Sequence, residues 1–424
     1  MQKLKDLKSS LILYAITDRA WLNGRSLKDD VEKAILGGAT MIQLREKNLS
    51  IDEFVEEALE IKEVCKKYDV PFIINDSLEV FLKVDADGIH VGQNDLSADV
   101  VRRIIGPNKI LGVSAENVGE ALLAEKNGAD YLGVGTIFST TTKLDAITVS
   151  KEELARICYN VKIPVVAIGG ITLDNIKELK NTMIQGVSVV SAIFKESDIT
   201  LAASNLLTEV KKLFFNPNLY KYFIVDYDGT LLNSLSMWDD IASRYVKSKG
   251  IEPETDLDKI VKTQTNDETA VYLSKRYFND IDPKELILDI NSFIEKEYLN
   301  IKINKGAFEF LNSIKEKGKV VLFTATSKSL IEKSLKINGI YDIFDSLYTS
   351  TDFNYSKTDG EGFLKLLEME GIKKEDAIIV EDATHAICGA KRAGLKVLSI
   401  ATYKNMMDID KILINSDYMI KMEV

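Results

Sequence analysis

Cysteine is scarce in this sequence, and the few cysteines form no pattern. The 424 residues contain only Cys65, Cys158 and Cys388, which are far apart and show no paired spacing. Such spacing predicts neither a disulfide framework nor a zinc site. A reducing cytoplasm is the setting that we expect for this chain.

An excess of basic charge and long apolar runs are also missing. Lysine and arginine number 54 against 65 aspartates and glutamates, so the formal net charge is −11. This balance argues against a general nucleic-acid-binding surface, whereas a local basic pocket for small anionic substrates is compatible with it. The first apolar run, residues 11–16, is too short to span a membrane and precedes Asp18 and Arg19, so we expect neither an export signal nor an anchor.

The length of the chain predicts two large domains, because about 150 residues per domain is typical. Pro217 lies between Asn216 and Asn218, where it cannot continue a preceding helix and favours a turn. We therefore predict a first domain over residues 1–214, a linker over 215–219 and a second domain over 220–424.

Short apolar runs alternate with amphipathic segments throughout the first half. The runs that indicate buried strands are residues 11–17, 41–44, 72–74, 88–91, 110–113, 131–134, 165–168 and 187–190. The segments between them have helical periodicity, with glycine or asparagine near several of their ends. Eight strand–helix units in about 210 residues predict a (β/α)8 barrel, whose loops after the strands converge on one mouth.

Polar residues cluster immediately after these runs, and several suit phosphate chemistry. Asp76 and Asp95 offer the hard oxygen ligands that Mg2+ prefers. Arg45, Lys47 and Lys143 carry the positive charge that would neutralise a departing pyrophosphate.

A second group of residues suits a second phosphate. The threonines at 140–142 offer hydroxyl donors beside Lys143, and Gly169 and Gly170 permit a close backbone approach to an anion. We also expect a helix N-terminus near Thr172 to add backbone donors. Two phosphate zones and one metal zone indicate a pyrophosphorylated donor and a phosphorylated acceptor.

The ordered motifs of this half resemble those of the thiamine-phosphate synthases. They are YAITDR, QLREK, IIND, GIHVGQND, GVSAEN, ADYLGVGTIFSTTTKLDA, VVAIGGI and VSAIF, within residues 11–212. The resemblance implies a transferase that joins hydroxymethylpyrimidine diphosphate to hydroxyethylthiazole phosphate, giving thiamine phosphate and pyrophosphate. In that family pyrophosphate leaves first and the thiazole nitrogen captures the pyrimidine cation, so no protein nucleophile is needed.

The same resemblance implies roles for individual residues. Asp76 and Asp95 would bind Mg2+, and Ser139 stands where the family often has proline. The residues expected to contact the pyrimidine diphosphate are Gln43, Arg45, Lys47, Asn75, Ser114 and Lys143. The residues expected to bind the thiazole phosphate are Thr140, Thr142, Gly170, Val190 and Ser191.

A thiazole tautomerase is the alternative within the same structural family. Such a barrel binds thiazole phosphate without coupling it and is expected to rely on a histidine. His90, in the strand-like segment GIHVG, is the single histidine of this half, and we expect a buried, hydrogen-bonded ring. The carboxylates of Asp76 and Asp95 and the QLREK motif favour the synthase.

The second half begins with a phosphoryl-transfer signature. An apolar run over residues 222–225 precedes the motif DYDGT at 226–230, and a strand ending at Thr324, then Lys357, then a strand ending at Glu381 follow in order. This order resembles the haloacid dehalogenase superfamily over residues 220–424. The resemblance implies a Rossmann-like α/β domain, and helical patterns over residues 232–304 imply a mobile helical cap.

The chemistry of that superfamily implies a role for each motif. The Asp226 carboxylate would attack phosphorus to form an aspartyl phosphate, while Asp228 would protonate the leaving oxygen and then activate water. Thr324 and Lys357 would hold and neutralise the transferred phosphoryl group. The expected Mg2+ ligands are Asp226, Asp228, Glu381 and Asp382.

The two halves together indicate a bifunctional enzyme of thiamine biosynthesis with one Mg2+ in each domain. The second domain would dephosphorylate thiamine phosphate, a hypothesis that rests on the fusion of the two halves. The alternatives are a phosphatase or phosphomutase of unrelated or broad substrate range, or a tautomerase-like barrel with a regulatory second domain. We expect small phosphorylated substrates rather than nucleic acid or membranes, and the sequence specifies no oligomeric state.

Overall fold

The computed structural model describes residues 7–22, 24–139, 148–261, 264, 266–279, 281–353 and 357–422. The chain divides into two units, Met1–Phe215 and Asn216–Val424. Within the described ranges, no helix combines the length and the apolar character needed to cross a bilayer.

The first unit is a closed barrel of parallel strands whose order around the barrel follows the order of the chain. β1 pairs with both β2 and β8, which closes the sheet. The predicted (β/α)8 barrel is therefore confirmed. The strands are β1 Leu13–Ile16, β2 Met41–Leu44, β3 Phe72–Asn75, β4 Gly88–Val91, β5 Ile110–Ala115, β6 Tyr131–Val134, β7 Val165–Ile168 and β8 Gly186–Val189.

Most helices of this unit begin at a side chain that caps the first turn. Ser26, Ser50, Ser77, Asn117 and Ser150 each accept a hydrogen bond from the backbone N–H three residues ahead. Such caps satisfy donors that have no partner within the helix. The helices are α1 Leu27–Leu36, α2 Ile51–Lys67, α3 Leu78–Val84, α4 Ala98–Ile105, α5 Val118–Lys126, α6 Lys151–Asn160, α7 Ser191–Phe194 and α8 Ile199–Lys211.

The helix expected to begin near Thr172 begins a few residues later and is a 3-10 helix. The segment forms a 3-10 helix over Ile176–Leu179, which begins after Asn175. Asn175 Oδ1 accepts from the Thr172 backbone N–H over 2.8 Å, and its Nδ2 donates to the Gly170 carbonyl over 2.8 Å. The asparagine side chain thus satisfies the loop backbone and holds the glycine loop in place.

The strands pack on both of their faces. Leu13 and Ala15 of β1 belong to the core between the sheet and its helices, whereas Tyr14 belongs to a second cluster with Met41 and Tyr131. Successive side chains of a strand point to opposite faces. The second cluster therefore fills the inside of the barrel, and its tyrosines bring hydroxyl groups there.

The second unit contains a six-stranded parallel sheet in the order β11-β10-β9-β12-β13-β14. β9 lies between β10 and β12, so the predicted Rossmann-like arrangement is confirmed. The strands are β9 Tyr222–Val225, β10 Lys319–Thr324, β11 Ser346–Thr349, β12 Ala377–Glu381, β13 Lys396–Ile400 and β14 Tyr418–Ile420.

Four helices, α9 to α12, lie between β9 and β10 in the sequence and form the predicted helical cap. They have a core of their own, in which Tyr245, Leu257, Leu273 and Leu286 are buried. The helices are α9 Leu235–Ser248, α10 Leu257–Val261, α11 Asn266–Tyr277, α12 Pro283–Leu299, α13 Ala307–Lys315, α14 Lys328–Ile337, α15 Ser350–Phe353, α16 Glu361–Glu370, α17 Thr384–Arg392 and α18 Ile409–Asn415.

Barrel closure predicts that Gly186 is intolerant of a side chain. A Cβ atom there would lie 1.9 Å from the Leu11 carbonyl oxygen and 2.5 Å from that of Ile12. We expect Gly186→Ala to lower the free energy of unfolding of the first unit by about 2 kcal/mol or more, since β1 and β8 must separate. Denaturant unfolding followed by Trp21 emission in a Trp238→Phe background would measure it, because these are the two tryptophans of the chain.

The matched control is Gly119→Ala, at the start of α5. A Cβ there meets only the Asn117 Oδ1 atom, at 3.2 Å. Alanine also favours the helix, so we expect no loss of stability. An equal loss in both variants would mean that closure does not depend on the contact at Gly186.

Candidate active sites

A cavity of about 390 Å3 lies at the carboxyl ends of the barrel strands, where parallel strands bring their following loops together. It gathers every described residue that the sequence predicts for substrate or metal binding in this unit. These are Gln43, Arg45, Lys47, Asn75, Asp76, Asp95, Ser114, Gly170, Val190 and Ser191. The predicted residues Thr140, Thr142 and Lys143 lie outside the described residues.

The floor of the cavity is a continuous chain of polar side chains. Gln43 Nε2 donates to the Tyr14 hydroxyl over 2.5 Å, and the Tyr14 and Tyr131 hydroxyls are 2.8 Å apart. His90 Nδ1 lies 3.0 Å from the Tyr131 hydroxyl, and its Nε2 lies 3.0 Å from Ser114 Oγ. Burial raises the pKa of both tyrosines, so both stay neutral. Gln43 and Ser114 are thereby held in fixed orientations.

Three side chains of this polar network were predicted only in part, or not at all, from the sequence. His90 is hydrogen-bonded through both ring nitrogens, as expected, but it is half-buried rather than buried. Tyr14 and Tyr131 were not predicted as site residues, because each stands within an apolar strand. The strand alternation that places Tyr14 inside the barrel is the signal that would have found it.

One side of the cavity combines carboxylates with basic side chains. Lys47 Nζ lies 2.7 Å from Asp76 Oδ2, and Asp95 Oδ2 accepts from the Gly92 backbone N–H over 2.7 Å. Burial raises the pKa of Asp95, and the charge of Asp76 adds to the rise. The two carboxylates are therefore close neighbours, and their combined negative charge exceeds the positive charge of Lys47. Carboxylate oxygens in such a pair are ligands that Mg2+ favours.

The opposite side is built around glycine. Gly170 has φ +62°, and a Cβ atom there would lie 2.5 Å from the Ser139 carbonyl oxygen. Only glycine combines this backbone conformation with this close approach. Val190 and Ser191 follow β8 at the same side of the cavity. Ser188 of β8 lines the cavity and was not predicted, and its buried Oγ has no hydrogen-bond partner among the described residues.

A cluster beside the cavity anchors the loop that carries Arg45 and Lys47. Arg19 Nε donates to Glu46 Oε2 over 3.1 Å, and its Nη2 donates to Glu57 of α2. The Glu46 side chain is only 4% exposed. Burial, reinforced by the adjacent Glu57, raises the pKa of Glu46 to about 7. This cluster was not predicted, because its residues belong to a 3-10 helix, a loop and an α-helix that are separated in the sequence.

The second unit gathers its motif residues at the carboxyl ends of β9, β10 and β12. Val225 pairs with Leu322 of β10 and with Val380 of β12. Asp226 therefore lies between the carboxyl ends of β10 and β12, which carry Thr324 and Glu381. All three side chains are buried. The carboxyl ends of three strands thus place two carboxyl groups and a hydroxyl group in one buried site.

Lys357 is the basic residue of this pocket. Its ammonium contacts Asp226, and it lies 2.9 Å from Glu381 Oε2. Burial alone would lower the pKa of Lys357, but Asp226 and Glu381 outweigh burial and raise it. Lys357 is therefore a permanent positive charge in this site.

Three buried carboxylates face this single ammonium. Oxygen atoms of Asp226, Glu381 and Asp382 lie within 4.8 Å of one another. Burial, and then the charge of Glu381, raise the pKa of Asp226 to about 8. A divalent cation would relieve this excess of negative charge, so the residues fit Mg2+. The predicted ligand Asp228 is not a member of this group among the described residues.

Gly229 and Thr230 shape the same group. A Cβ atom on Gly229, at φ +81°, would lie 2.4 Å from Asp382 Oδ2. Thr230 Oγ1 donates to Asp382 Oδ1 over 2.9 Å. The glycine and threonine of the DYDGT motif thus hold Asp382 against Asp226, a role for Thr230 that was not predicted.

Asp228 has separate partners. Its Oδ2 accepts from the Tyr298 hydroxyl over 3.0 Å and from Thr326 Oγ1 over 2.8 Å. Neither partner was predicted, since Tyr298 stands 70 residues from Asp228 in the sequence.

Comparison with known proteins matches each unit to a different family. Residues 13–193 match the family model described as thiamine monophosphate synthase, and residues 223–400 match the one described as haloacid dehalogenase-like hydrolase. Each match covers less than half of the chain.

The relatives of the first unit are thiamine-phosphate synthases. One from Clostridium beijerinckii is 51% identical over 201 residues, which are 47% of this chain and 96% of that protein. One from Clostridium tetani is 53% identical over 194 residues, which are 46% of this chain and 93% of that protein. The solved thiamine phosphate pyrophosphorylase from Pyrococcus furiosus is 40% identical, with 49% of this chain and 100% of that chain covered and a TM-score of 0.46.

The Glu46 carboxyl predicts a pH dependence of stability. A carboxyl whose pKa is higher in the folded state than in the unfolded state contributes stability at low pH that is lost as the pH rises through the folded value. We expect the free energy of unfolding of the first unit to fall between about pH 4.5, the ordinary pKa of a glutamate, and about pH 7, the folded value. In Glu46→Gln, which stays neutral, the fall should be smaller.

The measurement is denaturant unfolding at the two pH values, with Trp21 emission in the Trp238→Phe background. Glu60→Gln is the control, because Glu60 is exposed on the same helix as Glu57. A Glu46→Gln variant with the full pH dependence of the parent would contradict the assignment.

Proposed function

Because the chain belongs to the thiamine-phosphate synthase family through its first unit and carries a haloacid dehalogenase-like hydrolase domain in its second, we propose that it makes thiamine phosphate and then removes the phosphate. The observation that carries the first step is the single cavity lined by the residues expected for both substrates. The observation that carries the second step is the buried group of Asp226, Lys357, Glu381 and Asp382.

In the first step the cavity brings two phosphorylated molecules together. The bond between the pyrimidine methylene carbon and the pyrophosphate oxygen breaks, with its electron pair on the oxygen. The thiazole nitrogen then forms a bond to the methylene carbon through its lone pair. The chain supplies orientation and charge rather than a nucleophile.

The described residues divide between these two tasks. Gln43 and Ser114, fixed by the polar floor, would orient the pyrimidine, and Arg45 and Lys47 would neutralise the departing pyrophosphate. Asp76 and Asp95 would hold Mg2+, which supplies further charge stabilisation of the leaving group. Gly170 and Ser191, at the other side, would bind the phosphate of the thiazole.

In the second step the chain hydrolyses a phosphate monoester in two stages. Asp226 attacks phosphorus, the ester bond breaks towards its oxygen, and Asp228 gives that oxygen a proton, so the alcohol leaves and an aspartyl phosphate remains. Asp228 then takes a proton from water, which attacks the aspartyl phosphate and releases inorganic phosphate. Thr324 and Lys357 would hold the phosphoryl oxygens. Asp226, Glu381 and Asp382 would hold Mg2+, which supplies charge stabilisation of the phosphoryl group.

We assign the substrate of the second step from its chemical class and from the fusion of the two units in one chain. Thiamine phosphate is a phosphate monoester, the class that an aspartate nucleophile with a neighbouring acid can cleave. It is also the proposed product of the first unit of the same chain.

The experiment that tests this assignment incubates the purified chain with both substrates of the first step and Mg2+. It measures thiamine phosphate, free thiamine and inorganic phosphate over time.

Each outcome of that experiment has a clear reading. Free thiamine that appears in step with inorganic phosphate supports both activities. Thiamine phosphate that accumulates without inorganic phosphate keeps the synthase and rejects thiamine phosphate as the substrate of the second unit. A screen of other phosphate esters, including sugar phosphates for a mutase, would then follow.

The proposed nucleophile predicts a selective loss of phosphatase activity. Asp226→Asn keeps the shape of the side chain but removes the attacking carboxylate, so phosphate release from thiamine phosphate should fall by about a thousandfold or more. Pyrophosphate release by the same preparation should change by less than about twofold, since the two sites use different residues. Loss of both activities would contradict independent sites.

The proposed metal site of the barrel predicts the reverse selectivity. Asp95→Asn retains an oxygen that can accept from Gly92 but removes the charge, so the Mg2+ concentration for half-maximal synthesis should rise by roughly tenfold or more. Phosphate release from added thiamine phosphate should keep its Mg2+ dependence. An unchanged Mg2+ requirement for synthesis would remove Asp95 from the metal site.

A further inference from the structure

Tyr298 connects the cap to the carboxylate that the proposed hydrolysis uses as its acid and base. It stands on the last turn of α12, Pro283–Leu299, and its side chain is fully buried. Its hydroxyl donates to Asp228 Oδ2 over 3.0 Å. The cap therefore supplies a hydrogen-bond donor to a residue that follows the central strand of the sheet.

A second hydroxyl, from the other side, donates to the same oxygen. Thr326 follows β10, and its Oγ1 lies 2.8 Å from Asp228 Oδ2. The other carboxylate oxygen, Oδ1, is buried and has no hydrogen-bond partner among the described residues. The two oxygens of Asp228 are thus unequal, because Oδ2 already accepts from two hydroxyls and Oδ1 accepts from none.

We propose that Tyr298, together with Thr326, is a positioning residue that fixes Oδ1 of Asp228 as the oxygen that delivers the proton to the leaving group. The inference rests on the proposed hydrolysis of a phosphate monoester by the second unit. Two donors on Oδ2 disfavour a proton there, since a protonated oxygen would have to give up an acceptor position. They also fix the rotation of the carboxyl group about its last bond.

The step is balanced without any proton from Tyr298. The Asp226 carboxylate forms a bond to phosphorus, and the bond from phosphorus to the leaving oxygen breaks with its electron pair on that oxygen. The proton on Asp228 Oδ1 moves to the leaving oxygen, so Asp228 becomes a carboxylate. Tyr298 and Thr326 keep their protons and donate hydrogen bonds, which strengthen as Oδ2 gains negative charge.

A purely structural role of Tyr298 in packing can be distinguished from the positioning role by experiment. Its ring packs against Trp238 with the centroids 6.1 Å apart. Tyr298→Phe keeps this ring and removes only the hydroxyl. A loss that depends on how strongly the leaving group needs a proton would come from the hydroxyl, whereas a packing defect would affect all substrates alike.

The test uses two aryl phosphates that differ in this need. The p-nitrophenolate ion leaves without a proton, whereas the more basic phenolate of phenyl phosphate depends on protonation. We expect Tyr298→Phe, in the full chain with Mg2+, to lower kcat/KM for phenyl phosphate by about tenfold or more and for p-nitrophenyl phosphate by less than about threefold. Equal losses for the two esters, or no loss for either, would overturn the proposal.

Thr326 provides an independent variant at the same oxygen. Thr326→Val removes the second hydroxyl at nearly constant volume, and we expect the same selective loss for phenyl phosphate. Thr326→Ser, which restores a hydroxyl, should recover most of it. If Tyr298→Phe fails to give a folded protein, this pair decides the question, and an unselective loss in Thr326→Val overturns the proposal.

Tyr245→Phe is the matched control in the cap. Tyr245 is a buried tyrosine whose hydroxyl donates to Asp289 of α12 over 2.6 Å, with no contact to the motif residues among its hydrogen bonds. Both aryl esters should keep their parent rates within about twofold in this variant. A selective loss here as well would overturn the assignment to the Tyr298 hydroxyl.

The aryl probes separate this inference from the choice of thiamine phosphate as substrate. A parent chain that hydrolyses the aryl esters but not thiamine phosphate would overturn that choice, and the ratio of the two losses in Tyr298→Phe would still support or overturn the positioning role. A parent chain that hydrolyses none of the esters would overturn both.

Discussion

The parallel arrangement of strands is the constraint on which both sites depend. In the barrel, Gln43, Asn75 and Ser114 belong to three different strands and still line one cavity, because all the strands point the same way. In the second unit, the register of Val225 with its two neighbouring strands brings Asp226 between residues far away in the sequence. Reversing one strand would move its functional residue to the opposite edge of the sheet.

Local charge imbalance then selects what each site binds. Lys47 faces two carboxylates in the barrel, and Lys357 faces three in the second unit. Burial makes such an excess of negative charge costly in the second unit, and in both places the donor set fits the Mg2+ that we propose. The proposed cation and the lysine together would attract phosphate groups, so a chain with a net charge of −11 would still suit the proposed anionic substrates.

Features that depend on local sequence pattern could be predicted, whereas contacts between side chains that are distant in the sequence could not. Strand positions and the polar residues after strands follow from periodicity, and the barrel was predicted from them, whereas the Rossmann-like sheet was implied by the resemblance of the motif order. Tyr14 stands in an apolar run that also suits a core residue, so its link to Gln43 appears only when the barrel closes. The helix expected near Thr172 begins only after Asn175, whose side chain bonds to the backbone of the preceding loop.

The cap of the second unit makes both exposed and buried contacts with the domain that contains the sheet. Its Glu295 pairs with Lys333 of α14, and its Asp239 pairs with Lys404 after β13; all four side chains are partly exposed. Exposed pairs of this kind contribute about 0–1 kcal/mol each, so they hold the cap in place without fixing it strongly. The hydrogen bond from Tyr298 to Asp228 is buried and exists only when the end of α12 lies against the sheet. In the proposed mechanism the alignment of Asp228 would therefore depend on this contact with the cap, and Thr326 would be the donor that does not belong to the cap.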